Sequence, residues 1–374
     1  MLQTTKPSSD SILDNVVEYK ERRLVVLSPA AGRPRRRVLY VNSYGGTGVL
    51  EQVKEGRLPP HHLWGCLQLV QKGYEVALAE PLPHFYLHRN PLPHDMTLLM
   101  FARSWLGREG IVYCGHNVLY WLPFLRAIGG LRCAVVSLLF AREPLDFARS
   151  HQGIIALTRA AADHAKKLAP NVRIAHLGWG ADLSVYPKPT YRPEAFFSSG
   201  IAVRDFDTLS LAAARCSQRI AVIVPGTLEN LRWSDNVAVI DGGSGWSFQQ
   251  KRLSFCDIRD QYHARSSGSL IVVKPDPAER IACGFTEMLD AMAMARPVVL
   301  TRTGALPTEI DVEKEGCGLF VPPGDPDALA KEIDYLGRHP DVGEAMGRKG
   351  RELIERHYNI ERYGDGLHAF FESL

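Results

Sequence analysis

Short unbroken apolar runs, alternating twice over with amphipathic stretches, constrain this chain more than any other feature. In the first half the runs are 37–42, 75–80, 110–114, 133–137 and 153–157. Each is too short for a helix and too continuously apolar for a strand with one wet face. Strands of that kind, separated by helix-like sequence, belong to parallel sheets covered on both faces. Between the first two, Leu63, Cys66, Leu67 and Val70 have helical spacing, so a helix is expected over His62–Lys72 with Gly73 closing it. A stretch rich in Pro and Tyr follows at 186–193, where regular structure should stop. The alternation then restarts, with strands expected at 220–225, 237–240, 269–274, 297–300 and 318–322. Helices are expected at 209–216, 285–295, 326–336 and 360–374, and Asp325 before Pro326 makes an N-cap and N1 pair. The class is α/β, two doubly wound domains in tandem.

Composition removes several functions. The chain has 374 residues, a hydrophobic fraction of 45% and a net charge of +3. That is enough for two conventional domains, and too near neutral for a nucleic-acid binder. One dense basic run, Arg33-Pro34-Arg35-Arg36-Arg37, precedes the first apolar strand. It reads first as a solvated strand entrance, with a patch for anionic lipid or an anionic acceptor as the weaker alternative. Seven cysteines are scattered without a Cys-x-x-Cys pair, which suits neither a disulfide framework nor a zinc site. No apolar window reaches transmembrane length, and the first residues lack a secretory pattern. A cytoplasmic location is the expectation.

Paired α/β domains bind ligands in a cleft at their strand carboxyl ends. Neither half carries Gly-x-Gly-x-x-Gly or Gly-x-x-x-x-Gly-Lys-Ser/Thr, which disfavours dinucleotide dehydrogenases and P-loop NTPases. A bare helix N-terminus can still hold phosphate. "ACGFTEMLDAMAMARPVV", residues 282–299, supplies one. Gly284 lets a ligand approach the backbone, and the N–H groups of Phe285, Thr286 and Glu287 would face a phosphate. Asp290, one turn further, could accept bonds from vicinal ribose hydroxyls. Asp290 and Glu287 are equally well explained by the helix dipole alone, and the residues by themselves leave both readings open.

"GFTEMLDAMAMARPVV", then "TRTGALPTEI" and "GLFVPPGDPDALAKEI", resembles the nucleotide-binding motif of family-4 (group 1) glycosyltransferases of the GT-B fold. The usual form is Glu, seven residues, Glu-Ala-Met-Ala-x-Gly-x-Pro-Val, a Thr/Gly loop, then Gly-Leu-Val-Pro-Pro-Gly-Asp. The match is specific over 284–334. Upstream, "LTRAAADHAKKLAP" and "LGWGADLSVYP" resemble the end of the acceptor domain, and Gly45-Gly46-Thr47-Gly48 its glycine loop. The chain departs from the motif in two ways. Asp290 stands for the second glutamate, keeping a carboxylate for ribose, and Ala282 for the first, which in the family lies near the donor sugar; Thr286 and Glu287 are the replacements on offer. The family's Arg and Lys on the diphosphate reduce here to Arg204, in "SSGIAVRDFDTLSLAAA".

The resemblance implies two Rossmann-like domains facing a central cleft: a variable segment 1–36, an acceptor domain 37–185, a linker 186–196, a nucleotide-sugar domain 197–355, and a C-terminal helix 356–374 packing back on the first domain. It implies a retaining, metal-independent transfer from a nucleotide diphosphate sugar to a small-molecule or glycan acceptor, with no cofactor. Arg204 and His116 are the expected catalytic groups. Gly45, Gly46, Lys274, Gly284, Phe285, Thr286, Glu287 and Asp290 are the expected donor contacts. His84, His88 and His94, in a Pro-rich loop, read as a solvated loop or an acceptor lining. Asp205-Phe-Asp207 resembles a metal motif but is read as a helix start. The alternatives are a non-catalytic GT-B partner subunit, which Ala282 and the missing arginine favour, and an epimerase or phosphorylase on the same fold.

Overall fold

The structure, a computed structural model, describes residues 16–19, 24–30, 32–42, 46–79, 98, 100, 102–115, 119, 121–142, 144–146, 148–187, 190–191, 193–200, 203–225, 231–243, 253–275, 283–303 and 309–374. The chain divides into two compact units, 1–179 with 360–374, and 180–359. Among the described residues no helix is long and apolar enough to cross a membrane.

In the first unit, strands β1 (Val16–Tyr19), β2 (Leu24–Leu27), β3 (Arg37–Val41), β4 (Glu75–Ala79), β5 (Ile111–Gly115), β6 (Ala134–Leu139), β7 (Gly153–Ala156) and β8 (Arg173–His176) form one sheet in the order β1-β2-β4-β3-β5-β6-β7-β8. From β4 to β8 every pairing is parallel; β2 runs antiparallel to both its neighbours. Helices α1 (Gly46–Lys54), α2 (Cys66–Gln71), α3 (Leu122–Ala127) and α4 (Arg159–Leu168) cover it. The apolar runs read from the sequence are the five parallel strands β3–β7, and each interior position of β5 is fully buried because both faces are covered.

The continuous helix expected over His62–Lys72 does not form. A 3-10 turn, Pro60–Leu63, ends at Trp64 in the left-handed region, and α2 begins only after Gly65. The C-terminal helix, Ile360–Glu372, is the cause. It packs on α2 so closely that a Cβ on Gly65 would stand 3.0 Å from the Tyr363 ring. The Tyr363 hydroxyl also meets that of Tyr113 on β5 at 2.7 Å, and Arg36 donates to the Phe371 carbonyl at 2.6 Å.

In the second unit, strands β9 (Ala195–Ser198), β10 (Ile220–Val224), β11 (Val237–Asp241), β12 (Ser266–Ile271), β13 (Val298–Thr301) and β14 (Gly318–Val321) form an all-parallel sheet ordered β11-β10-β9-β12-β13-β14. Helices α5 (Phe206–Ala213), α6 (Phe255–Gln261), α7 (Phe285–Ala293), α8 (Pro326–Arg338) and α9 (Pro340–His357) complete it. Helix α7 is apolar nearly all round, with Met288, Leu289, Met292 and Ala293 fully buried. It packs against α9, whose buried side is Gly343, Gly347, Gly350 and Ile354. A Cβ on Gly347 would stand 2.0 Å from the Ala295 carbonyl oxygen, so the small residues set how near the two helices come.

The start of α8 is as the sequence predicts. The Asp325 carboxylate accepts from the Ala328 N–H at 2.9 Å, with Pro326 at the first helical position. Asp325→Ala should lower the unfolding free energy by about 1 kcal/mol, the usual value of such a cap. Urea denaturation measures this, and an unchanged midpoint would mean the bond contributes nothing.

Candidate functional site

Strand order places the site. In the second unit the chain moves from β9 outward to β11, then returns to the other side of β9 as β12. The winding order therefore reverses between β9 and β12, the position at which the loops of open parallel sheets diverge to leave a crevice. The loop after β9 carries Ser199, Gly200 and Arg204, and the connection after β12 carries Lys274, Gly284 and the mouth of α7. Residues far apart in sequence thus come together for a topological reason.

Arg204 and Glu287 bridge the two loops. Arg204 Nη2 donates to Glu287 Oε2 at 2.6 Å, and each side chain is only 6% exposed. Arg204 Nε donates to the Ser199 carbonyl at 2.7 Å, while the Ser199 N–H donates to the other Glu287 oxygen at 3.0 Å. Both oxygens of Glu287 are therefore engaged, and Glu287 braces the guanidinium rather than standing open to a sugar. Burial pushes its carboxyl above the usual range while Arg204 opposes that shift. Gly200, at φ 97, is required twice over: the conformation favours glycine, and a Cβ would stand 2.3 Å from Arg204 Nη2.

Helix α7 begins at Gly284, whose φ of 87 turns the chain, and no side chain caps it. The amide groups of Phe285, Thr286 and Glu287 form its first turn, and Arg204 lies beside Gly284, with Nη1 3.6 Å from the position of a Cβ there. A guanidinium and a helix N-terminus side by side are an arrangement that electrostatics favours for an anion. The Lys274 ammonium is exposed and pairs with Asp207 at 3.3 Å.

Asp290 lies one turn into α7 and is 8% exposed. The Tyr186 hydroxyl donates to its Oδ1 at 2.5 Å, and among the described residues Oδ2 meets no hydrogen-bond donor. Burial drives the Asp290 carboxyl up to about 7; the Tyr186 bond pulls the other way and Glu287 adds to the rise. The stability consequence has a definite sign. Unfolded aspartate titrates near 3.9, so between about pH 4 and 7 the folded chain holds a proton the unfolded chain has lost. Stability should fall as pH rises through that window and level off above it. Asp290→Asn should remove most of this slope, the remainder coming from Glu287. Denaturation curves across the window compare the two proteins, and superimposable slopes would sink the assignment.

Other expectations separate. Asp205 accepts from the Thr208 N–H at 3.1 Å and from its hydroxyl at 2.8 Å, so it is an N-cap, and 205–207 is a helix start as read. Among the described residues no group of His, Cys, Asp or Glu is arranged to hold a metal. In the first unit the sheet reverses between β3 and β5, and α1 starts at Gly46, which is buried against Leu78 and Tyr40. Gly45, His116, Ala282 and the loop holding His84, His88 and His94 lie outside the described residues. Tyr186, Ser199 and Gly200 were not read from the sequence. Gly200 directly after a strand is a signal that could have been used; Tyr186 has none, since its partner is 104 residues away.

The fold recurs in known structures. Sucrose-phosphate synthase (tll1590) from Thermosynechococcus elongatus superimposes with a TM-score of 0.66 at 13% identity, covering 91% of this chain and 99% of that one. A glycosyltransferase from Rickettsia africae ESF-5 gives 0.62 at 12% identity, over 92% and 99%. Anabaena Alr3699/HepE in complex with UDP and glucose gives 0.61 at 13% identity, over 91% and 100%. The fold is that of the GT-B glycosyltransferases. Residues 269–339 match the family "Glycosyl transferases group 1", which bears out the resemblance read over 284–334. No curated protein matches the chain at a significant level. Within the group 1 segment, Ala295 occupies the motif's glycine position and still takes the left-handed conformation, at φ 54.

Proposed function

We propose that this GT-B chain is a retaining, metal-independent glycosyltransferase. The second unit binds a nucleotide diphosphate sugar and the first binds the acceptor. One observation carries the reading: at the switch point of the second sheet, an uncapped helix mouth, the Arg204 guanidinium and the Asp290 carboxylate stand together within or beside the group 1 segment. Diphosphate takes the helix mouth, and ribose hydroxyls donate to Asp290 Oδ2. Departure of the nucleotide diphosphate builds charge on its terminal phosphate, which Arg204 and the amides of 285–287 stabilise. In a retaining transfer the acceptor oxygen joins the anomeric carbon on the face the phosphate leaves. Asp205 and Asp207 are already committed to a cap and to Lys274, so neither supports a metal role.

HepE has been seen with UDP and with UDP-glucose, so uridine diphosphate sugars are the first donors to try. A panel of nucleotide sugars, scored by thermal shift and then by nucleotide diphosphate release in excess EDTA, tests donor binding and metal independence together. Product anomeric configuration by NMR tests retention. A metal-restored activity or an inverted product would overturn the corresponding part. A second reading, a non-catalytic partner subunit, is favoured by the buried, charge-paired state of Arg204 and by Ala282. Donor binding without turnover against any acceptor would select it.

A further inference from the structure

One part of the first unit's surface combines exposed apolar side chains with exposed arginines. Leu98, Ala102 and Leu106 share a core cluster with Leu122 and Leu125 of α3 and with Leu131. Outside that cluster three large apolar side chains of the same segments face solvent. Met100 is 66% exposed, Phe124 52% and Ile128 61%. Phe124 and Ile128 are four residues apart on α3 and its cap, so they share one face.

Positive charge predominates in the stretch that holds them. The stretch 98–142 contains Arg103, Arg108, Arg126, Arg132 and Arg142, no lysine, and Glu109 as its single carboxylate. Arg103, Arg108 and Arg132 are exposed, and among the described residues none of them pairs with a carboxylate. The basic run before β3 abuts the same stretch. Arg37 donates to the Trp105 carbonyl at 2.8 Å and lies 5.4 Å from the Trp105 ring centre, and Arg36 donates to the Glu109 carbonyl at 2.7 Å. The sequence alone reads that run first as a solvated strand entrance, with an anionic-lipid or acceptor patch as the weaker alternative; folding brings it to the edge of these exposed apolar side chains.

We propose that this face docks the protein on an anionic membrane leaflet. Acidic headgroups answer the unpaired arginines, and Met100, Phe124 and Ile128 enter the boundary between headgroups and acyl chains. A soluble polyanion would satisfy the arginines but leave the three apolar side chains in water. This separates the two occupants experimentally. The proposal does not depend on the donor site, which lies in the other unit.

The test is co-sedimentation of the full chain with vesicles of phosphatidylcholine alone and of phosphatidylcholine mixed with phosphatidylglycerol. Binding is expected to the mixed vesicles only, and to weaken with salt. Phe124→Ser with Ile128→Ser should lower partitioning by on the order of tenfold, from the apolar area no longer buried. Arg103→Gln with Arg108→Gln and Arg132→Gln should lower it by on the order of 100-fold, each basic residue near an acidic leaflet being worth roughly a factor of five. All five positions are exposed, so thermal melts of both variants should overlay the parent, and the two variants fail independently if one does not. Equal binding to neutral vesicles, no binding to either, or undiminished binding of the serine variant would overturn the proposal. The last result would assign the face to a polyanion instead.

Discussion

Arg204→Ala should destabilise the protein by about 3–5 kcal/mol, because it leaves the Glu287 carboxylate buried beside Ser199 without its charge partner. It should also reduce sugar transfer by on the order of 100-fold, the scale of losing one preorganised donor to a developing charge. The two effects need separating, and a paired variant does so. Arg204→Met combined with Glu287→Leu removes both charges and keeps the volume, so most of the stability should return. Turnover should not, since the leaving phosphate still lacks its guanidinium. Binding of the free nucleotide diphosphate should fall less than turnover, because the arginine meets most charge in the transition state. Urea denaturation, calorimetric binding and steady-state kinetics on the three proteins provide the readouts. Recovered turnover in the doubly neutral protein would move the leaving-group role to the amides of 285–287 or to Lys274.

Asp290→Ala should weaken nucleotide binding by about 1.5–3 kcal/mol, as for hydrogen bonds to a charged group. That is roughly 10- to 150-fold in the dissociation constant. The assignment to ribose makes a sharper statement. A 2′-deoxy nucleotide should bind the parent more weakly, and the Ala substitution should then cost it less than it costs the ribonucleotide. Ribose hydroxyls donate, so they favour the ionised carboxylate, and parent affinity should increase as pH rises through about 7. Calorimetry at several pH values covers all three points. An equal loss for ribo- and deoxyribonucleotide would remove Asp290 from the ribose. Tyr186→Phe takes away the bond that holds Oδ1, and it should flatten neither the fold nor the ribose preference completely.

The group 1 segment was the most legible part of the site. Gly284, the apolar helix behind it, Asp290 and the Asp325-Pro326 start all sit within 284–334, where local backbone chemistry dictates residue type. Arg204 was legible as a residue but not as a partner. Its bond to Glu287 spans 83 positions, and Glu287 looked like a group open to ligand until the sheet order brought it to the loop after β9. Helix α9 was missed for a different reason. Its buried side is glycine at 343, 347 and 350, so it has almost no apolar periodicity to detect. Strand β8 was missed because its residues are half-exposed at a sheet edge, without the continuous apolar signature of β3 to β7.

What the sequence by itself determined is the part set by near neighbours: the α/β class, the core strands from their unbroken apolar runs, the helix mouth after Gly284, and the family resemblance that these carry. Only the tertiary structure decided which loops meet. The reversal between β9 and β12 chose Ser199, Gly200 and Arg204 as companions of Glu287, and burial set the Asp290 carboxyl near 7 against Tyr186. The C-terminal helix likewise broke the expected helix at Trp64 and Gly65 by pressing Tyr363 against it. Propensity and periodicity act over a few residues along the chain. Desolvation, charge pairing and close packing act between surfaces that exist only once the sheets are assembled.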